Sequence, residues 1–277
     1  MASNPKAIIW FRQDLRLRDN PALTYAASVG EVLPIYILDE KNIANFPLGR
    51  ASRWWLDHSL RSLNKSLNGA LCTFRGDPIE IIEELVSTYQ IGNVFWNRSY
   101  EPWQVERDTA IKSKLQIMGI KVESFNGSML HEPWEVLKPD GHPYKVFTPF
   151  YKQHRIKAIP RADTVDLDNL RFFKPNQHVT DLKSLNLISQ NDWSTNMLSE
   201  WIPGERGGEK ALKLFLDQGL FQYKLGRDFP ERNAVSQLSP YLHFGELSPI
   251  RVWNEVNNYA ISENLETFVF HSLLGCP

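Results

Sequence analysis

The sequence has few cysteines. Only Cys72 and Cys276 occur among its 277 residues, and they form no CxxC pair. A disulfide framework or a thiolate metal site needs more cysteines at closer spacing, so the sequence indicates neither. A chain without disulfides is typical of a reducing compartment, and we therefore expect this one to act in the cytoplasm.

Motifs of metal and hydrolytic chemistry are also missing. The seven histidines form no HxxxH or HExxH pair, and no GxSxG nucleophile elbow is present. Zinc enzymes and serine hydrolases depend on these spacings, because they place metal ligands or a nucleophile in the geometry that the reaction needs. We expect no bound metal and no hydrolytic activity, and the sequence assigns no catalytic residue.

Long apolar runs and a strong net charge are absent as well. No segment approaches the roughly 20 apolar residues of a membrane helix, and no export signal is recognisable before the first apolar run. We therefore expect no membrane partner. The formal net charge is -1, so the chain as a whole does not attract phosphate, and a nucleic-acid partner would need a local basic patch.

The sequence does contain a regular alternation of short apolar runs and segments with helical periodicity. The apolar runs indicate five strands, at residues 7–11, 32–38, 71–74, 94–96 and 121–125. Between them, Asn20 before Pro21 and Asp77 before Pro78 are typical helix starts, and Ile111 and Met118 bound the apolar stripe of a later helix. The pattern predicts an α/β fold with a doubly wound, five-stranded parallel sheet.

The first predicted strand-to-helix turn, residues 10–21, contains no glycine. A pyrophosphate bound on such a turn needs glycines for close backbone approach, so the dinucleotide-binding fingerprint is absent. The turn is rich in arginine and aspartate, and composition alone favours a solvated loop linked by salt bridges. A second glycine-containing stretch, Gly204 to Gly208, lacks the Lys-Ser/Thr pair of a phosphate loop and is typical of a helix start.

The periodicity divides the chain into three parts. The α/β domain covers residues 1–130, and residues 131–200 form a connector that we expect to lie extended on the protein surface. Residues 201–277 form an incomplete all-α domain with helices predicted at 204–217 and 249–259 and a third beginning at Leu265.

Several separated blocks of the sequence resemble, in order, the DNA photolyase and cryptochrome family. They include WFRQDLRLRDNPAL from Trp10, GRASR from Gly49, NRSYEP from Asn97, LHEPW from Leu130, PYKVFTPF from Pro143 and SQLSPYLHFGELS from Ser236. The resemblance implies light-driven, FAD-dependent repair of pyrimidine dimers in damaged DNA, with the last block at the start of the flavin-binding helical domain.

The resemblance also implies site residues. It places the FAD contacts at Tyr223, Ser236, Gln237, Leu238 and Ser239. Val235 and Gln237 depart from the family pattern, which has a threonine and a basic residue there, so one hydroxyl and one positive charge near the flavin phosphates are lost.

A DNA contact and an antenna chromophore follow from the same resemblance. Arg227 matches a family arginine that contacts the DNA backbone, a contact that adds affinity without reading sequence. The antenna chromophore of the family is a folate or a deazaflavin. Folate binders often carry Asn-Glu where this chain has Trp103 and Gln104, and the sequence does not choose between the two chromophores.

After Val269 the sequence departs from the family pattern and ends at Pro277. We expect that a chain ending there lacks most of the flavin and lesion site, retains FAD weakly and is inactive alone. Two alternatives stay open at this point. One is a cryptochrome-like photosensory or interaction module without repair activity, and the other is a generic nucleotide-binding α/β module.

Overall fold

Five parallel strands in the order β3-β2-β1-β4-β5 form the sheet of this protein. The computed structural model describes residues 5–42, 47–160, 170–175, 182–188, 194 and 196–263. The strands are β1 (Lys6–Phe11), β2 (Glu31–Leu38), β3 (Cys72–Arg75), β4 (Asn93–Asn97) and β5 (Lys121–Phe125). The helices that connect them are α1 (Pro21–Val29), α2 (Arg50–Ser66), α3 (Pro78–Tyr89) and α4 (Pro102–Ile117).

Helices cover both faces of this sheet. Side chains alternate along a strand, so Ile8 and Trp10 of β1 point to one face while Ile9 and Phe11 point to the other. The first pair belongs to a buried cluster with residues of α3 and α4, and the second pair belongs to one with residues of α1 and α2. The predicted doubly wound parallel sheet is therefore confirmed.

Local signals at the helix starts act as the sequence predicts. The side chain of Asn20 accepts a hydrogen bond from the backbone N–H of Leu23 at 3.1 Å, and Asp77 accepts one from Ile79 at 3.1 Å. One prediction for α4 is wrong. Met118 lies after the end of the helix and is 42% exposed, because the buried stripe ends at Leu115.

The remaining helices follow the sheet in the chain. They are α5 (Phe147–Ile156), α6 (Met197–Glu200), α7 (Glu205–Leu214), α8 (Tyr223–Gly226), α9 (Ser239–His243) and α10 (Pro249–Ser262). A π-helical turn, Phe215–Gly219, and a 3-10 turn, Leu220–Gln222, join α7 to α8. The predicted helix from Leu265 lies outside the described residues.

The connector is partly buried, which differs from the expectation of a surface segment. Leu182, Leu185 and Leu187 are each less than a tenth exposed and belong to the same cluster as α1 and α2. Earlier in the connector, residues 171 and 173 bond to β2. The backbone N–H of Val32 donates to the carbonyl oxygen of Arg171 at 2.8 Å, and the N–H of Phe173 donates to the carbonyl oxygen of Val32 at 2.9 Å. The connector therefore covers the edge of the apolar core, and the boundaries at 130 and 200 stay our proposal.

The arginine-rich turn after β1 is buried between the sheet and the helices, so the solvated-loop interpretation is wrong. Arg16 is 2% exposed, and its guanidinium donates to the carbonyl oxygens of Asp19, Gly127 and Gly245. The backbone N–H of Leu15 donates to the carbonyl of Phe244 at 3.1 Å. These bonds attach the helical part to the end of β1.

Candidate functional site

The first candidate site, which we call the sheet cleft, lies where β1 and β2 end. In a doubly wound sheet the ligand crevice lies beyond the carboxyl ends of the strands, near the point where the strand order reverses. Here the order reverses around β1, which pairs with β2 on one side and with β4 on the other. The enclosed part of the cleft measures about 110 Å³, and its lining includes Trp10, Arg12, Tyr36, Asp39, Trp103, Arg107, His243 and Phe244.

Two arginines and two tryptophans form the wall of the sheet cleft. The guanidinium of Arg107 lies 4.9 Å from the ring centre of Trp10 and 5.1 Å from that of Trp103. Arg107 also forms an ion pair with Asp39 at 2.9 Å, and Arg12 pairs with Asp108. Because both guanidinium groups are held by carboxylates, the wall keeps its geometry before any ligand enters.

Two buried donors of this wall have no hydrogen-bond partner among the described residues. They are the indole Nε1 of Trp10 and the guanidinium Nε of Arg12. A buried N–H without an acceptor is unfavourable, so such groups in a cleft are typical contacts for a ligand oxygen or nitrogen. The sheet cleft therefore fits a flat ligand that has acceptor atoms at its edge.

A polar cavity of about 220 Å³ adjoins the sheet cleft and shares Gln13 and His243 with it. Its floor is Asn97, whose amide donates to Asp14 at 2.6 Å and to Asn20 at 2.8 Å. At its rim, the hydroxyl of Tyr100 donates to Glu132 at 2.7 Å, and burial raises the pKa of Tyr100 above its ordinary value.

The second candidate site, the helical cavity, lies between α7 and the segment before α9. It measures about 240 Å³, and Gln218, Asn233, Ser236 and Gln237 supply its polar lining. Gln237 has a left-handed backbone with φ of 53°, and Ser236 Oγ accepts the N–H of Leu238 at 3.4 Å. Two of the five residues predicted to contact FAD thus lie in one cavity.

The other three predicted flavin residues do not line this cavity. Leu238 is 3% exposed and packs in the core, while Ser239 is exposed at the first position of α9. Tyr223 packs its ring against Phe215 at 5.8 Å between ring centres. Their roles as flavin contacts stay predictions.

The predicted DNA contact, Arg227, follows α8 directly. Its side chain is 30% exposed, lies 5.6 Å from the ring centre of Tyr223 and is 3.6 Å from a carboxylate oxygen of Asp228. Its role in DNA binding stays a prediction.

Sequence reasoning missed most of the residues that form these cavities. Gln218 and Asn233 come from segments with no recognisable motif, and Trp10 begins a recognised block in which no pattern assigned it a ligand contact. The position of Arg107 between two indole rings depends on how α4 packs against the sheet. Only the unpaired Trp10 and Arg12 nitrogens mark the sheet cleft as a ligand site.

Two kinds of feature are absent from the described ranges. Within them, no helix is both long and apolar enough to span a bilayer. No group of three or more histidine, cysteine, aspartate or glutamate side chains is arranged to hold a metal ion there.

Comparison with known proteins gives consistent matches. The family model for DNA photolyase matches residues 7–166. The deoxyribodipyrimidine photo-lyase of Agrobacterium fabrum is 40% identical over 98% of this chain, and cryptochrome-2 of Arabidopsis thaliana is 34% identical over 90% of it. The crystal structure of a class III photolyase from Agrobacterium tumefaciens superposes on 97% of the chain with a TM-score of 0.88 and 35% identity.

The chain spans only part of these relatives. It covers 59% of the A. fabrum photo-lyase, 42% of cryptochrome-2 and 56% of the class III photolyase chain. The match extends over both the α/β domain and the helical part described above, so the resemblance noted in the separate sequence blocks holds along nearly the whole chain.

Proposed function

Because this chain belongs to the DNA photolyase family, we propose that it serves light-driven, FAD-dependent repair of pyrimidine dimers in DNA. The observation that supports this most is the continuous match of both its parts to a class III photolyase. The α/β domain would collect light at the sheet cleft, and the helical part would supply one wall of the flavin site. We expect that this chain alone does not complete the reaction.

The helical cavity fits part of a flavin. Its hydroxyl and amide groups at Ser236, Gln237 and Asn233 are the donors and acceptors that a phosphate or ribose needs. Its volume of about 240 Å³ is below the roughly 300–1,000 Å³ of sites that enclose a drug-sized ligand, so the described residues enclose only a part of FAD. When bound and reduced, the flavin would supply the excited electron that splits the dimer.

The sheet cleft is the site that we propose for the antenna chromophore. Trp10 Nε1 and Arg12 Nε offer donors to a carbonyl oxygen, and Trp103 and Arg107 offer flat surfaces to a ring. A folate and a deazaflavin both have such rings and carbonyls. Because the enclosed part is about 110 Å³, either chromophore would extend beyond it toward solvent.

Damaged DNA is the partner that we propose for this protein. Arg227 would contact a phosphate, and the aromatic side chain beneath it, Tyr223, would hold the guanidinium in place. Such a contact carries no sequence information, which suits a protein that recognises a lesion rather than a base sequence.

A second function has support from the matches to cryptochromes. Cryptochrome-2 of Arabidopsis thaliana matches 90% of the chain, so a photosensory or interaction role without repair is the alternative. Repair and signalling differ in one observable, which is loss of the pyrimidine dimer under light.

The test has two readouts on the full chain. The purified protein is reconstituted with FAD, and its flavin absorbance is measured after gel filtration. Light-dependent loss of the dimer is then measured on a thymine-dimer oligonucleotide. We expect substoichiometric flavin and no repair by the chain alone.

Ser236→Ala tests the helical cavity itself, with Ser262→Ala at an exposed position as the matched control. We expect Ser236→Ala to lower the retained flavin further and Ser262→Ala to leave it unchanged. A tight, stoichiometric flavin complex that is equally stable in both variants would overturn the assignment of this cavity. Dimer repair by the reconstituted chain alone would show that the chain is competent without further protein.

A further inference from the structure

A fourth cavity lies at the connector, away from the sheet cleft and the helical cavity. It measures about 420 Å³, larger than any of the three described above, and its lining shares no residue with the sheet cleft or the helical cavity. Most of its lining residues belong to the connector, between His131 and Tyr144 and at Phe150 and His154 of α5. The end of the α/β domain, from Ser128 to Leu130, and Pro249 at the start of α10 complete the wall. We call it the connector cavity.

Two histidines in contact form one side of the connector cavity. The ring centres of His131 and His154 are 4.6 Å apart at an angle of 71°, so one ring packs its edge toward the other. The side chain of His131 is 6% exposed, and His154 as a residue is 8% exposed. Both imidazoles are therefore more than nine-tenths buried.

Each of these imidazoles has one nitrogen without a hydrogen-bond partner among the described residues. The two atoms are His131 Nε2 and His154 Nδ1. A buried polar nitrogen without a partner is unfavourable, and a native structure tolerates it where a ligand completes the bond. Two such atoms on the lining of one cavity indicate a specific binding site rather than a packing defect.

The charge state of the pair decides what it can bind. Burial lowers the pKa of His131, and burial together with the neighbouring His131 lowers that of His154. Both rings are thus neutral at neutral pH, and the unpaired nitrogen of each is either a donor or an acceptor. Glu135 lies near His131, with its carboxylate oxygen 3.9 Å from Nδ1.

The remaining described lining has no free charge to offer a ligand. Among the lining residues that the structure describes, Glu132 is the only carboxylate, and its oxygens are already bonded to Arg98 and Tyr100. Apart from the hydroxyl of Ser128, the other described side chains there are apolar or aromatic. Phe150 lies 6.4 Å from Tyr144 and 5.7 Å from His154 between ring centres, so three rings border the space.

We propose that the connector cavity binds an uncharged, flat heteroaromatic molecule with hydrogen-bonding atoms at its edge. His131 Nε2 and His154 Nδ1 bond that edge, and the rings of Tyr144 and Phe150 contact its face. A charged ligand is disfavoured because none of the described lining side chains neutralises it. A purely hydrocarbon ring is disfavoured because it leaves both imidazole nitrogens unpaired.

The probe for this proposal is benzimidazole, which is flat and has one donor and one acceptor nitrogen. Its binding to the full chain is followed by the imidazole ¹⁵N resonances of the histidines and by calorimetry. We expect saturable shifts at His131 and His154 but not at His142, which is exposed and outside the cavity. Naphthalene, a flat fused bicycle of similar size without nitrogen, should bind about tenfold more weakly or worse, since one net hydrogen bond already supplies that ratio.

Two variants separate the histidine bonds from the shape of the cavity. His131→Leu with His154→Leu removes both nitrogens, and we expect benzimidazole to lose about tenfold or more in affinity while naphthalene does not. His142→Leu is the matched control and should bind as the original protein does.

Three results would overturn the proposal. They are unsaturable shifts, equal affinity for the two probes, or unchanged benzimidazole binding by the double variant. If the double variant does not fold, the ¹⁵N shifts and the probe ratio in the original protein decide alone. These binding results do not depend on whether the chain binds flavin or repairs dimers.

Discussion

The indole Nε1 of Trp55 donates a hydrogen bond of 3.0 Å to the carboxylate of Glu246, joining α2 of the α/β domain to the turn between α9 and α10. The hydroxyl of Ser59, one turn farther along α2, donates to the other oxygen of the same carboxylate. Glu246 is fully buried, and the backbone N–H of Gly204 before α7 also donates to it. One side chain therefore ties three segments together.

Glu246→Gln should change how stability depends on pH. Burial raises the pKa of Glu246 from 4.5 to about 7, so the folded chain holds a proton that the unfolded chain releases in this range. The free energy of unfolding therefore falls as pH rises from 4.5 to 7, by about 3 kcal/mol at most from this group, and is lowest above that range. When the free energy of unfolding is measured by urea at several pH values in this range, it should fall less steeply with pH in the variant than in the original protein.

The matched control for this measurement is Glu255→Gln, at a half-exposed carboxylate on α10. Because this control keeps the carboxyl group of Glu246, the fall in the free energy of unfolding between pH 4.5 and 7 should remain in it. If the free energy of unfolding of Glu246→Gln depends on pH as steeply as that of the original protein, Glu246 titrates as an ordinary carboxylate.

Gly245→Ala should loosen the contact between the helices and the turn after β1. Gly245 has φ of 65°, and a Cβ there would lie 2.0 Å from the carbonyl oxygen of Gln13. Left-handed strain and backbone overlap together should lower the free energy of unfolding by roughly 2–4 kcal/mol. Gly141→Ala is the control, because it has φ of 80° but nothing within 4 Å, and should cost only about 1 kcal/mol. If both variants lose the same free energy of unfolding, the close approach to Gln13 does not explain the effect at Gly245.

Trp103→Leu should weaken antenna-chromophore binding at the sheet cleft. The substitution removes a flat ring of the cleft lining that would contact the chromophore ring, and such ring pairs contribute about 0.5–1.5 kcal/mol. We expect the dissociation constant of the bound folate or deazaflavin to rise about tenfold, measured by fluorescence titration with each. Trp134→Leu, at a tryptophan 58% exposed and outside the cleft lining, should bind normally. Similar losses in both variants would place the chromophore elsewhere.

Cys72 should react slowly with thiol reagents in the folded protein. It is 3% exposed on β3, and burial raises the pKa of its thiol to about 11. The thiolate is the reactive form, so at about pH 8 a disulfide reagent should react roughly 100-fold more slowly than with the urea-unfolded chain. The measurement uses Cys276→Ser so that only Cys72 is counted. Rapid labelling under native conditions would contradict the burial of this strand.

Local signals predicted the strands and helices of the α/β domain correctly. The five apolar runs became five parallel strands, and Asn20 and Asp77 cap the helices that follow them, because periodicity and capping act over a few residues. Where burial depends on distant segments, the same reasoning was wrong. Leu182 is buried by contacts that no nearby residue reveals, and Arg16 is buried by contacts from Gly127 and Gly245.

The candidate sites were likewise predictable only in part. The ordered family blocks identified the family and placed Ser236 and Gln237, which do line one cavity. Trp10 beside Arg12, and His131 beside His154, could not be foreseen.

By itself the sequence determined the doubly wound sheet and the family of this protein, because both follow from short-range patterns and from the order of motifs along the chain. Only the tertiary structure decided which polar atoms are buried without a partner. Hydrogen bonding of a buried atom depends on every segment that packs around it, and those segments are far apart in the chain.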